Sequence, residues 1–208
     1  MLDYKARLDA IRGLNPAPML QREKLNIRDV KKGGYLELNN QTWKVVNVFL
    51  YLDVKWANFS RRNKDYWVTE LELFSLETGE STFVEWEIDD QLEICQTEKL
   101  VKMKDISFNG KALSHSDLEF IAEEEEGEVT VDGVTYIYID EDSWAGLFFK
   151  ARGEKEGIPF RSYEFESEDN KYLSVEAWHE DVNDDKPERE AFISHSIKPA
   201  EISILQAK

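Results

Sequence analysis

Two stretches of the chain set a glutamate beside a tryptophan: FVEWEIDD, with Glu85 and Trp86, and LSVEAWHED, with Glu176 and Trp178. Paired carboxylates about 5 to 9 Å apart, with aromatic platforms for a sugar, are the equipment of glycoside hydrolysis. A carboxylate-dependent hydrolase using Glu85 and Glu176 is therefore one reading of this chain. Strand alternation weighs against it, because it puts Glu85 opposite Val84 and Trp86 and so toward solvent. Ala177 also intervenes between Glu176 and Trp178, which moves that tryptophan to the glutamate's own side and makes the two places unequal. The other reading is one strand and its acidic turn used twice. That reading concerns architecture and assigns no catalytic residue.

Other chemistries have weaker footing. His179, Glu180, Asp181, Asp184, Asp185 and His195 gather near one another, and Asp181 to Asp185 superficially suggests an oxygen-rich calcium loop. The stretch lacks the central glycine and the terminal bidentate glutamate of such a loop. His115, His179 and His195 have no zinc-like spacing, and Cys95, the single cysteine, has no thiol partner. Neither a nucleophile elbow nor a phosphate-cradling glycine loop is present, and Cys95 lies in an apolar strand pattern where a thiol is usually inert. No metal and no cofactor are expected.

The most distinctive local feature is VKWANFSRRNKDYW, Val54 to Trp67. With 43 acids against 26 bases, the chain carries a formal charge of −17, yet here Arg61, Arg62 and Lys64 cluster around Trp56 and Phe59. Aromatic and arginine side chains at a hairpin tip suit protein recognition, since those types dominate interface hot spots. Trp56, Phe59, Arg61, Arg62 and Lys64 are the candidate partner-binding residues. The alternative is a solvated loop whose aromatics pack down on their own sheet. The overall charge disfavours nucleic acid and anionic lipid surfaces and allows a cationic partner such as a polyamine.

The elements that must position these residues are mostly strands. After Gly33-Gly34 the pattern takes period two, with Asn39-Asn40 and Asp132-Gly133 as hairpin turns and Thr78-Gly79 as another turn. Successive strands joined by short turns predict an antiparallel meander. YLELNNQTWKVVN aligns with EVTVDGVTYIYID, ELELFSLETGE with SYEFESEDNK, and Val84-Glu85 with Val175-Glu176, so the two halves repeat one grammar. Leu2, Ala6, Leu8, Ala10, Ile11 and Leu14 predict a short amphipathic helix, followed by an extended connector to about Lys24. Ser116 with Glu119 resembles a capping box for a helix through Ala122, and Glu123 to Glu126 read as a solvated edge. The expected fold is mainly β, with antiparallel strands in two tandem related subdomains, barrel- or sandwich-like, and short peripheral helices. The expected boundaries are an N-terminal helix and connector at 1–24, a first β subdomain at 25–105, a connector at 106–127 and a second subdomain at 128–208.

GGYLELNNQTWKV, YWVTELELFSLETGESTFVEWEIDD, ARGEKEGIPFRSYEF and LSVEAWHED, in this order over about residues 25 to 197, resemble an uncharacterised bacterial family, domain of unknown function 4178. The shared marks fall on Trp67 with Glu70, on Ala151, Gly153 and Glu154, and on Val84-Glu85 with Val175-Glu176. Leu71 departs from the tyrosine often found there. The resemblance implies an all-β cytoplasmic protein with no assigned activity. Its relatives are often encoded near membrane-stress proteins and polyamine-synthesis enzymes, which implies an accessory role in a stress pathway.

A lone cysteine, no apolar run near the roughly 20 residues that span a bilayer, and no secretory signal at the N-terminus lead to the expectation of a cytoplasmic protein. The functional expectation is a non-enzymatic interaction module with a protein partner, with the hydrolase and a polyamine binder as alternatives.

Overall fold

The computed structural model describes residues 4–180, 184 and 186–208. Leu2 of the N-terminal pattern, and Asp181 and Asp185 of the acid-rich loop, lie outside the described residues. The strands are β1 Tyr35–Leu38, β2 Gln41–Val54, β3 Trp67–Ser75, β4 Ser81–Ile88, β5 Leu92–Val101, β6 Ile106–Phe108, β7 Lys111–Ala112, β8 Glu128–Val131, β9 Val134–Tyr138, β10 Trp144–Phe149, β11 Ile158–Glu166, β12 Lys171–Trp178, β13 Glu188–Ser196 and β14 Ser203–Gln206. Among the described residues three short α-helices accompany them, α1 Tyr4–Gly13, α2 Met19–Arg22 and α3 His115–Glu124, so the chain is mainly antiparallel β, as its period-two patterning requires.

The chain forms two compact units that interleave in sequence. The first holds the N-terminal segment through Leu50, Val68–Gln96 and Ile197–Lys208; the second holds Tyr51–Trp67 and Thr97–Ser196. The long strands β2 and β5 pass from one to the other after Leu50 and Gln96.

In the first unit the strands run in the order β14-β1-β2-β3-β4-β5. Asn39 and Asn40 turn the β1–β2 hairpin with φ of 53° and 59°, the left-handed pair a tight two-residue hairpin needs. Leu36, Leu38, Trp43, Val45, Leu71, Leu73, Val84 and Ile94 share one core, each on the inward parity of its strand. A three-residue 3-10 turn, Ile27–Asp29, precedes β1 and is closed by a reciprocal cap: Asp29 Oδ2 accepts from Asn26 N at 2.9 Å, and Asn26 Oδ1 accepts from Arg28 N at 3.0 Å. Helix α1 is tied down through polar groups, with the Tyr35 hydroxyl donating to the Ala10 carbonyl at 2.7 Å. Ile11 stays exposed, so only part of its apolar stripe is used. The connector is not wholly extended: Pro18, which presets φ, starts the one-turn helix α2.

In the second unit the order is β13-β12-β11-β9-β8-β6-β7, with β10 also on β11. Asp132 and Gly133 turn the β8–β9 hairpin with φ of 51° and 82°. Val129, Val131, Tyr136, Tyr163, Phe165, Leu173, Val175, Ala177, Ala191 and Ile193 form its core, under Leu118 and Ile121 of α3. The cap of α3 differs from the Ser116 and Glu119 box that the sequence suggests. Ser114 is the N-cap: its Oγ accepts from Asp117 N at 3.2 Å, and Asp117 Oδ2 accepts from Ser114 N at 2.8 Å. Leu118 and Ile121, three residues apart, lie on the buried side of the helix. Glu125, at φ 57°, ends the helix, and Glu123 to Glu126 are exposed.

Candidate functional site

The second core ends where arginines and histidines replace apolar residues on the inward parity of three neighbouring strands. On β11 the series Phe165, Tyr163 continues to Arg161. On β12 the series Leu173, Val175, Ala177 continues to His179, and on β13 Ile193 and Ala191 continue to Arg189. Arg161 pairs in register with Ala177, and Ala177 with Arg189. Helix α3 begins over this end, so His115 meets His179 with ring centroids 6.1 Å apart. Arg189 Nη1 donates to the Leu113 carbonyl just before the helix, at 3.2 Å.

The Lys55–Tyr66 loop closes the other side. It is pinned as a hairpin extension by Lys55 N to Ser60 O at 2.9 Å and Asp53 N to Tyr66 O at 2.9 Å. Its aromatics turn inward. Trp56 meets Tyr163 edge to face at 5.3 Å, and Phe59, at φ 53°, lies 5.3 Å from His179. Arg161 stacks over both rings, 5.5 Å from Trp56 and 4.9 Å from Phe59. Contacts of this kind contribute about 0.5–1 kcal/mol each at partly exposed positions. Its guanidinium also donates to the Trp56 carbonyl at 3.3 and 3.4 Å, and one nitrogen lies 3.5 Å from His179 Nε2.

Between loop and helix lies a cavity of about 230 Å³ lined by Trp56, Glu119, Ala122, Glu123, Arg161 and Tyr163. Its electrostatics are unusual for so acidic a chain. No carboxylate among the described residues pairs with Arg161. Burial, reinforced by the neighbouring Arg161 charge, holds His179 below its ordinary value; burial likewise lowers His115, against the opposing pull of Glu119. Burial pushes the Tyr163 phenol up to about 12, so it remains a neutral group.

Of the residues singled out in the loop, Phe59 is buried and Trp56 half-buried, while Arg61, Arg62 and Lys64 are exposed. Arg62 Nε bonds Asp53 Oδ2 at 2.6 Å; burial nevertheless raises the Asp53 carboxyl more than that arginine lowers it. Arg61 lies 3.6 Å from Asp65. Loop packing and exposed cations thus occur together.

Glu85 belongs to the first unit and Glu176 to the second. Glu85 stands between Glu70 of β3 and Cys95 of β5, and is half-buried where strand alternation alone suggests solvent, because those directly opposed side chains flank it. Glu176 is 9% exposed, opposite Ser162 and Glu190. Trp86 packs into the first core, whereas Trp178 stacks on Phe160 at 5.1 Å, the change of side that Ala177 imposes. His195 lies 3.2 Å from Glu98. Among the described residues no three His, Cys, Asp or Glu side chains are placed to hold a metal ion.

Arg161, Tyr163, Glu119 and Glu123 escape the motif reading, although RSYEF carries a signal: alternation puts Arg161 on the same side as Tyr163 and Phe165, an arginine on a core parity. The family model described as "Domain of unknown function (DUF4178)" matches residues 31–199, most of the chain. The chain belongs to this family. In this DUF4178 member the match takes in β1 through β13, and with them every residue of the groove. No curated protein and no solved structure matches it. No helix among the described residues is long and apolar enough to cross a membrane.

Proposed function

We propose that this chain is a non-enzymatic binding module of the cytoplasm that takes its ligand or partner into the groove between α3 and the Lys55–Tyr66 loop. The observation that carries this reading is Arg161. In a chain with 43 acids it is held at a cavity wall by two aromatic rings and a carbonyl, with no carboxylate partner among the described residues. A guanidinium fixed by packing yet left without a counter-ion suits recognition. The exposed Arg61, Arg62 and Lys64 lie on the same loop and would extend the contact to a protein partner. The stress-accessory role implied by the family's surroundings fits a module of this kind.

Affinity capture from native lysate tests it. Ala122→Trp fills the groove without altering its charges, and Arg61→Ala with Arg62→Ala strips the loop tip. The reading expects a captured species that Ala122→Trp loses at an unchanged melting temperature. A capture profile identical for wild type and Ala122→Trp would overturn it.

A second reading has its own observation. The chain carries 43 acids against 26 bases, a formal charge of −17, and such a field attracts a polycation such as spermidine. It should then raise the melting temperature at millimolar concentration, with the shift fading as salt rises.

A further inference from the structure

The groove is bipolar. Along one side α3 presents Glu119 and Glu123, four residues apart on one helical face, an arrangement that is unfavourable for an isolated helix. Among the described residues Glu123 pairs with no cation, and Glu119 approaches only His115 Nε2 at 3.6 Å, an imidazole that burial keeps neutral near pH 7. Arg161 stands across from them on β11, likewise without a carboxylate, and Tyr163, Trp56 and Ala122 complete the lining. Arginine and glutamates share one small cavity without pairing to each other.

We infer that the groove binds a small zwitterion of amino-acid type, its carboxylate on Arg161, its ammonium between Glu119 and Glu123, and a flat apolar body against Trp56. Three features select that class. A purely anionic ligand would meet two unneutralised carboxylates, and a purely cationic one would meet Arg161; only a molecule with both charges satisfies all three groups. The cavity, about 230 Å³, falls below the roughly 300 Å³ at which drug-sized sites begin, so the body is small. Arg161 is pre-ordered by its two stacking contacts and its bonds to the Trp56 carbonyl, so little side-chain freedom remains to be lost on binding. The inference rests on the groove being the binding site.

Three probes with one phenyl ring and different ends separate the possibilities: L-phenylalanine, 3-phenylpropionate and phenethylamine, titrated against the whole chain and followed by ligand-observed NMR. L-Phenylalanine is expected to bind at least tenfold more tightly than either other probe. Arg161→Ala should reduce it to the level of phenethylamine, and the Glu119→Gln, Glu123→Gln pair to that of 3-phenylpropionate. Should Arg161→Ala fail to fold, Arg161→Lys keeps the charge but loses the fork, and a loss of at least threefold is expected. Equal or tighter binding of phenethylamine overturns the inference in favour of a cation, and of 3-phenylpropionate in favour of an anion. No binding of L-phenylalanine, with Ala122→Trp still abolishing capture of a partner, overturns the zwitterion while leaving the groove. Binding of L-phenylalanine that Ala122→Trp does not reduce overturns both.

Discussion

The approach to the first hairpin and the approach to the second begin alike and end differently. Asn26 with Asp29 caps one, and Ser114 with Asp117 caps the other, each pair three residues apart. Each leads to a hairpin whose two turn residues are left-handed. The parallel continues at the far end. Lys-Met-Lys-Asp-Ile-Ser at 102–107 and Lys-Pro-Ala-Glu-Ile-Ser at 198–203 both make a 3-10 turn followed by a short strand. Strand β6 pairs with β8, the opening strand of the second hairpin, and β14 returns to pair with β1, the opening strand of the first. The difference lies between cap and hairpin. The first approach is a three-residue 3-10 turn with Ile27 buried, and the crevice among Leu25, Ile27, Leu92, Ile94, Pro199 and Ile202 holds only about 50 Å³. The second is the ten-residue α3, which commits Leu118 and Ile121 to the core and turns Glu119, Ala122 and Glu123 to a cavity more than four times larger. Similar frames thus support a closed apolar seam in one place and an open charged groove in the other.

The largest effects should come from the anchors of each approach. Ile121→Ala is expected to cost about 2–5 kcal/mol, because its fully buried side chain leaves a cavity under α3. Ile27→Ala should cost a similar amount in denaturant unfolding. The two should differ in binding: only the α3 variant weakens groove ligands at temperatures where both variants are folded. Equal loss of binding from both would remove the contrast between the units.

Acid should act next, and on one unit. All three histidines of the chain lie in the second unit, and two of them, His115 and His179, are held below their ordinary value of 6.5. Glu119 and Asp184 pull those values up, while Arg161 and Arg189 press down with burial. Below about pH 6.5 the unfolded chain takes up protons that the folded one resists, so stability falls as pH drops through that value and toward the lowered ones. Melting temperature should decline between pH 7 and pH 5, and His179→Asn should flatten the decline. Hydrogen exchange at the low end should rise first in β11–β13 and α3, leaving β1–β4 protected. A decline led by the first unit would contradict this.

Cap removal sharpens the comparison further. Ser114→Ala and Asn26→Ala should each cost about 1 kcal/mol. Ser114→Ala also removes the hydroxyl bond that, with the backbone N–H of the same residue, holds the Asp117 carboxyl below the usual range, and an NMR titration of that carboxyl would register a partial rise. The smallest effect belongs to the loop surface: Arg61→Ala should change stability by about 0.5 kcal/mol or less, since its partner Asp65 is solvent-exposed.

The strands were most legible where one face is buried and the other is not, as in β3, β8 and β9. Alternation in STFVEWEI places Val84 and Trp86 together, and the structure keeps that parity. Turn chemistry at Asn39-Asn40 and Asp132-Gly133 was equally readable, because few other residues tolerate left-handed pairs. The α3 cap lies two residues before the Ser116 and Glu119 box, because Ser114 with Asp117 offers the same pattern of a hydroxyl and an acid three residues on. Strand β10 carries no such signal, because Trp144–Phe149, with Gly146 packed against Phe160, lacks alternation. The groove was half legible. Trp56 and Phe59 stood out by composition, but their partners Arg161 and His179 come from β11 and the residue after β12, and His115, which meets His179, from α3. No spacing in sequence announces that convergence.

Hydrogen exchange of the whole chain, alone and bound to the species it captures, tests most directly whether the open groove is the binding site. The expected result is new protection in residues 115–124 and 55–66, with residues 25–29 of the closed seam unchanged. Protection at the seam, or bound chain with unaltered exchange at α3 and the loop, would contradict it.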